Sequence, residues 1–158
     1  MKLNIYKWEV LDNHFPKLSF TKLQLKNVLL RQISMSQDGQ ISIIFTTEDH
    51  IKELNKEFRK KNSSTDVLSF VLENKPLLGE IYVCPEYIQK EYNEEEVLRD
   101  IVHGILHLLG DDHKRSFDPK SKEKENMFVK QENILENILY EINNGIGKSR
   151  KKISPNKT

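Results

Sequence analysis

Three of the five histidines, His103, His107 and His113, lie in one stretch, Asp100-Ile-Val-His-Gly-Ile-Leu-His-Leu-Leu-Gly-Asp-Asp-His113. Neutral imidazoles are common ligands for divalent metals. On an α-helix the step from His103 to His107 rises about 6 Å and turns about 40°, so both rings leave one face. Gly110 follows the last apolar residues and offers a left-handed stop. A chain that turns there can swing His113 back over the same face. Three imidazoles on one ion leave a fourth position for water, as in catalytic rather than closed structural sites.

The spacing resembles the zinc-protease pattern H-E-x-x-H-x-x-G-x-x-H, with one departure. Gly104 stands where that pattern has its glutamate, so the proton acceptor of peptide hydrolysis is missing. A histidine pair at this spacing has a plainer reading as two core-edge residues held by hydrogen bonds; the third histidine after a glycine turn favours the metal. If the bond cut were a phosphodiester, a cation would also be needed for the phosphate oxygens. Arg59 is the candidate, because a guanidinium fork matches two oxygens at once. Its plainer role is a solvated charge at a helix C-terminus. Lys56, Lys60 and Lys61 join Arg59 in a basic cluster suited to an RNA backbone, diluted by Glu53 and Glu57. Asp112 and Glu80 are candidates for the general base; Asp112 is better suited to orienting a ligand histidine or capping the turn. Ser69 and Thr65 either contact phosphate or satisfy strand ends.

The remaining sequence must position these groups. A length of 158 residues suits one domain. We expect that domain to span residues 1–146, followed by a basic, disordered tail over 147–158. Net charge is +1, so no global field advertises nucleic acid, and binding must come from local patches. Cys84 is the single cysteine, which excludes a disulfide framework and fits a reducing cytosol. The N-terminus lacks a signal-peptide core and no run is long and apolar enough to span a membrane. These features predict a cytoplasmic protein with no membrane partner.

Periodicity predicts strands over residues 3–10, 40–45, 66–72 and 78–84, the last two antiparallel across Pro76. It predicts a helix carrying Phe20, Leu23, Leu25, Val28, Leu29 and Ile33, and another over 48–59 burying Ile51, Leu54 and Phe58. Gln37-Asp38-Gly39 is a turn signal. Pro85 starts a short helix. Asn93 and Glu96 suggest a capping box opening the histidine helix, about 94–109. Asp118-Pro119 starts a last helix that uses Met127, Phe128, Ile134, Leu135, Ile138 and Leu139, and Asn144-Gly145 ends it. The fold class is α+β: a mixed sheet of about four strands, with the central histidine helix buried on one face and further helices around it.

Three segments together resemble the YbeY-type endoribonucleases, the bacterial rRNA maturation factors. They are Leu54-Asn-Lys-Glu-Phe-Arg59 with Thr65-Asp-Val-Leu-Ser-Phe70; Gly79-Glu-Ile81; and the histidine block with Met127 and Gln131-Glu132-x-Ile134-Leu135. The resemblance implies one divalent metal, zinc by preference, on His103, His107 and His113, and a functional role for Arg59. It implies cleavage of single-stranded RNA, 3′ end processing of small-subunit rRNA and rRNA quality control, with precursor rRNA and the ribosomal small subunit as partners. Departures are Asp111 in place of an aromatic, Glu80 in place of Asp, and the loop Asn62-Ser63-Ser64. Two rival readings share the histidines: a metallopeptidase-like hydrolase with another base, and a ribosome-assembly binding protein with a structural metal.

Overall fold

The computed structural model describes residues 1–33, 38–110 and 122–145. Its elements are β1 (Lys2–Tyr6), α1 (Trp8–His14), α2 (Lys22–Gln32), β2 (Gly39–Phe45), α3 (Glu48–Arg59), β3 (Val67–Asn74), β4 (Leu77–Val83), α4 (Pro85–Ile88), α5 (Glu94–Leu108) and α6 (Lys122–Asn144). The four strands form one mixed sheet in the order β1-β2-β4-β3. β1–β2 and β2–β4 pair in parallel, and β3 pairs antiparallel with β4. The α+β class and the four-stranded mixed sheet are as the sequence predicted.

The sheet face toward α5 is set by alternation. In β2, Ile41, Ile43 and Phe45 are buried, and in β4, Gly79, Ile81 and Val83. Helix α5 lies across β3 and β4, α6 packs on α5 and α2, and α2 packs on β1. Capping defines the helix starts. Thr21 and Gln24 close a reciprocal capping box on α2. Thr47 accepts from the His50 amide on α3. Asn93 caps α5 through the Glu95 amide. The expected partner Glu96 instead receives the Arg99 guanidinium at 2.7 Å. Arg99 also bonds Glu132 at 2.9 Å, tying α5 to α6.

The structure corrects several expectations. The strand predicted over residues 3–10 stops at Tyr6; Lys7 takes a left-handed conformation and α1 begins at Trp8. Leu3 and Ile5 are two apart, whereas Trp8 and Leu11 are three apart, the spacing of a helix, and Leu11 is fully buried. Leu23, Phe58 and Phe128 were expected to pack, yet all three are exposed. On α3 the buried positions are Ile51 and Asn55, because the Asn55 amide donates to the Ser63 carbonyl at 2.9 Å and anchors the loop. The turn signal at residues 37–39 is only partly within the described residues, with Gly39 at φ +146° opening β2. Asn144-Gly145 does end α6, with Gly145 at φ +76°. Asp118-Pro119 and the basic tail lie outside the described residues.

Two glycines set how closely α5 approaches the sheet. A Cβ added to Gly79 would stand 2.8 Å from Leu108 Cδ1. One added to Gly104 would stand 3.0 Å from both Ile81 Cγ2 and Ser69 Oγ. Gly79 receives a helix leucine and Gly104 receives a strand isoleucine, so helix and sheet interlock.

Acidic groups gather where α5 meets the start of β3. Asp66, Glu96 and Asp100 bring oxygens within 4.8 Å of one another. Burial, followed by the adjacent Asp66 carboxyl, pushes Asp100 up from the ordinary 3.8 to about 9. The folded state therefore holds a proton that the unfolded chain releases near 3.8. That stability is fully present below pH 3.8 and is lost as pH rises toward 9. With chelator present, the melting temperature should fall on the order of 5–10 °C between pH 5 and pH 8.5. Asp100→Asn should flatten that slope, as read by circular dichroism melts.

Candidate metal and RNA-cleavage site

His103 and His107 sit one turn apart on α5, both half-buried. Their Nε2 atoms are 3.0 Å apart, with ring centroids 4.5 Å apart. Two imidazole nitrogens at about 2.05 Å from a tetrahedral zinc stand about 3.3 Å apart, so this pair fits two neighbouring positions on one ion. His103 Nδ1 lies 2.7 Å from Gln131 Oε1 on α6. With the amide oxygen accepting, that ring carries its proton on Nδ1 and leaves Nε2 as the lone-pair donor. Gln131 is itself buried and donates to Glu132 Oε2 at 3.0 Å, which fixes the direction of its amide. Glu132 in turn is held by Arg99. The tautomer of His103 therefore traces back through Gln131 and Glu132 to Arg99. If the histidines hold a divalent metal, Gln131→Leu should weaken its binding by about 10–100-fold while leaving the melting temperature of chelated protein within a few degrees. Competition with a chromophoric chelator measures this.

The two histidines line a cleft of about 960 Å³. Arg59, at the end of α3, lines the same cleft. Its Nη2 donates to the Ser69 carbonyl at 2.7 Å, and its guanidinium carbon lies 5.3 Å from the Phe70 ring centre. Ser69 belongs to β3, the edge strand, and its hydroxyl lies beside Gly104 on the helix. One strand residue therefore links the arginine to the turn of helix between the imidazoles. Arg59 remains exposed, which leaves guanidinium hydrogens for an incoming anion. Lys61, Thr65 and Ser69 also line the cleft; Lys56 and Lys60 do not. Lys60 instead terminates α3 in a left-handed conformation.

Glu80 is removed as a candidate base. Gly79 and Ile81 face α5, so Glu80 and Tyr82 face the opposite side of the sheet. There Glu80 accepts from the Tyr82 hydroxyl at 2.9 Å, and Tyr82 packs edge-on against His50 and Phe70. His113 and Asp112 lie outside the described residues. In the sequence Gln131 stands out only as part of the segment Gln131-Glu132-x-Ile134-Leu135. Its role needed the pairing of α5 with α6, which spacing along the chain does not contain.

The family model described as Endoribonuclease YbeY matches residues 12–139. The chain is 41% identical over 130 residues to the Endoribonuclease YbeY of Thermotoga petrophila, covering 78% of this chain and 82% of that protein. It is 36% identical over 157 residues to the Endoribonuclease YbeY of Shouchella clausii, covering 84% and 91%. A solution structure of a Thermotoga maritima protein superimposes with a TM-score of 0.56 at 33% identity, covering 95% of this chain and all of that one.

Proposed function

Since this chain belongs to the family of the endoribonuclease YbeY, we propose that it is a metal-dependent endoribonuclease that cuts single-stranded RNA. Its substrate is ribosomal precursor RNA, in 3′ end processing of the small-subunit rRNA and in rRNA quality control. The ribosomal small subunit is its partner, and a ribosomal substrate puts the enzyme in the cytoplasm. Residues 1–146 form the catalytic domain. The observation that carries this reading is a pair of facing imidazole nitrogens, 3.0 Å apart, in a cleft that also holds Arg59.

His103 and His107, joined by His113, would hold one divalent cation, and zinc suits an all-imidazole donor set. Such an ion supplies hydroxide at neutral pH by lowering the pKa of its water toward about 7. The protein's own groups do the rest. Gln131 keeps the His103 lone pair turned toward the cleft. Arg59 binds the scissile phosphate and stabilises charge spread over its oxygens. Lys61 attracts the flanking backbone, and Ser69 holds Arg59 against the strand edge. Among the described residues no carboxylate lines the cleft beside the histidines, so no side chain there stands ready as a general base.

The test uses metal-loaded protein, a single-stranded RNA carrying the end of precursor small-subunit rRNA, and the same sequence annealed into a duplex. Wild type should cut the single strand, lose activity with chelator and regain it with zinc. Arg59→Ala should lower kcat/KM by about 10²–10³-fold with metal content unchanged. Equal cleavage by wild type and Arg59→Ala, or cleavage indifferent to chelation, would refute the proposal.

A further inference from the structure

Asp100 occupies a core position of α5, only 6% exposed, in a helix whose other buried residues are nearly all apolar. Its Oδ2 is buried and has no hydrogen-bond partner among the described residues. A lone buried carboxylate oxygen is costly, so something must compensate it. The neighbours add negative charge. Glu96, one turn earlier, and Asp66, just before β3, each place an oxygen within 4.8 Å of the others. Arg99 is the cation whose charge reaches Asp100, and its guanidinium is already divided among Glu95, Glu96 and Glu132. Thr65 donates to Asp66 Oδ1, and the Asp66 carbonyl accepts from the Cys84 amide, so the loop carboxylate is held in place.

We propose that Asp66, Glu96 and Asp100 bind a hard divalent cation, of the size of calcium or manganese, at a site separate from the histidines. Three carboxylates with no nitrogen or sulfur select hard ions over zinc. Two ligands of one ion can be no farther apart than twice the metal–oxygen distance. For calcium that limit is about 4.6–5.2 Å, and the three oxygens, all within 4.8 Å of one another, are close enough to share one such ion. Bound there, the ion pins the loop before β3 to α5. Thr65 next to Asp66, and His103 three residues past Asp100, both line the cleft. The site would hold the cleft's two walls together without contacting substrate.

The competing occupant is a proton shared between Asp66 and Asp100, in keeping with the raised pKa of Asp100. Metal-stripped full-length protein at pH 8 distinguishes the two. Calcium or manganese should raise the melting temperature by about 5 °C or more at one hundred times Kd, and calorimetry should give one site per chain that remains when the imidazole pair is removed. The shift should persist in His103→Ala/His107→Ala, which lacks the imidazole pair, and vanish in Asp100→Asn. Asp100→Leu serves as a second variant, because it fills the apolar position and should fold with a metal-independent melting temperature. No shift with either ion up to millimolar concentration, a shift retained in Asp100→Asn, or a shift lost with the histidines would each overturn the proposal. A shared proton would then be the compensation.

Discussion

His107→Ala is expected to lower single-strand RNA cleavage by roughly 10³-fold or more and to leave the protein without stoichiometric zinc. The reason is geometric. His103 and His107 project from one helical face with their Nε2 atoms 3.0 Å apart, and removing one leaves a single imidazole from α5. One imidazole on a helix does not hold zinc against solvent. The fold should survive, because His107 is only half-buried and its neighbours Leu106 and Leu108 carry the packing. Metal content by atomic absorption, cleavage by gel and stability by circular dichroism separate these effects. A variant that keeps both zinc and activity would exclude His107 as a ligand.

The second large effect concerns Gly104. Restoring the protease-like glutamate with Gly104→Glu should create no peptidase. It should destabilise the protein by on the order of 4 kcal/mol or more, enough to leave a marginal domain largely unfolded. The first added atom would already lie 3.0 Å from Ile81 Cγ2 and Ser69 Oγ, and 3.1 Å from Ile81 Cδ1. The rest of the side chain would then bring a carboxylate into a seam packed for apolar contact. Gly104→Ala is the milder control. Its single methyl requires Ile81 to give by a few tenths of an ångström, partly offset by the better helix propensity of alanine. Thermal melts of the two variants should differ by at least 10 °C. A Gly104→Glu protein as stable as wild type would show that the helix can lift off the sheet.

The same glycine shows what was legible in the sequence. Its identity announced that a base was missing; the reason, an isoleucine from β4 in the space, lies across a helix–sheet contact that no local pattern records. The histidine pair was legible because a helix converts spacing into direction. α3 runs over Glu48–Arg59, as the sequence predicts, because Thr47 and the acidic first turn mark its start. Its buried face was misjudged, because Ile51, Leu54 and Phe58 suggested a stripe that Asn55 interrupts. Phe58 instead meets Phe70 edge-on beside Arg59 while staying exposed. Glu80 could have been placed correctly: its two immediate neighbours, Gly79 and Ile81, belong to the buried set, and strand alternation turns it away. Asp100 was missed from sequence, although an acid among the apolar residues of one helix is the kind of conflict between residue and environment that marks special sites.

The strand order also governs when the cleft can exist during synthesis. β4 joins the sheet by pairing with β2, made some forty residues earlier, and with β3, made just before it. The β3–β4 hairpin can close on its own, and those two strands are the surface on which α5 docks. The imidazoles are thus delivered to a finished platform, and Gln131, which sets one of them, emerges later still. A nascent chain consequently carries no assembled site until α6 has emerged and Gln131 has met His103.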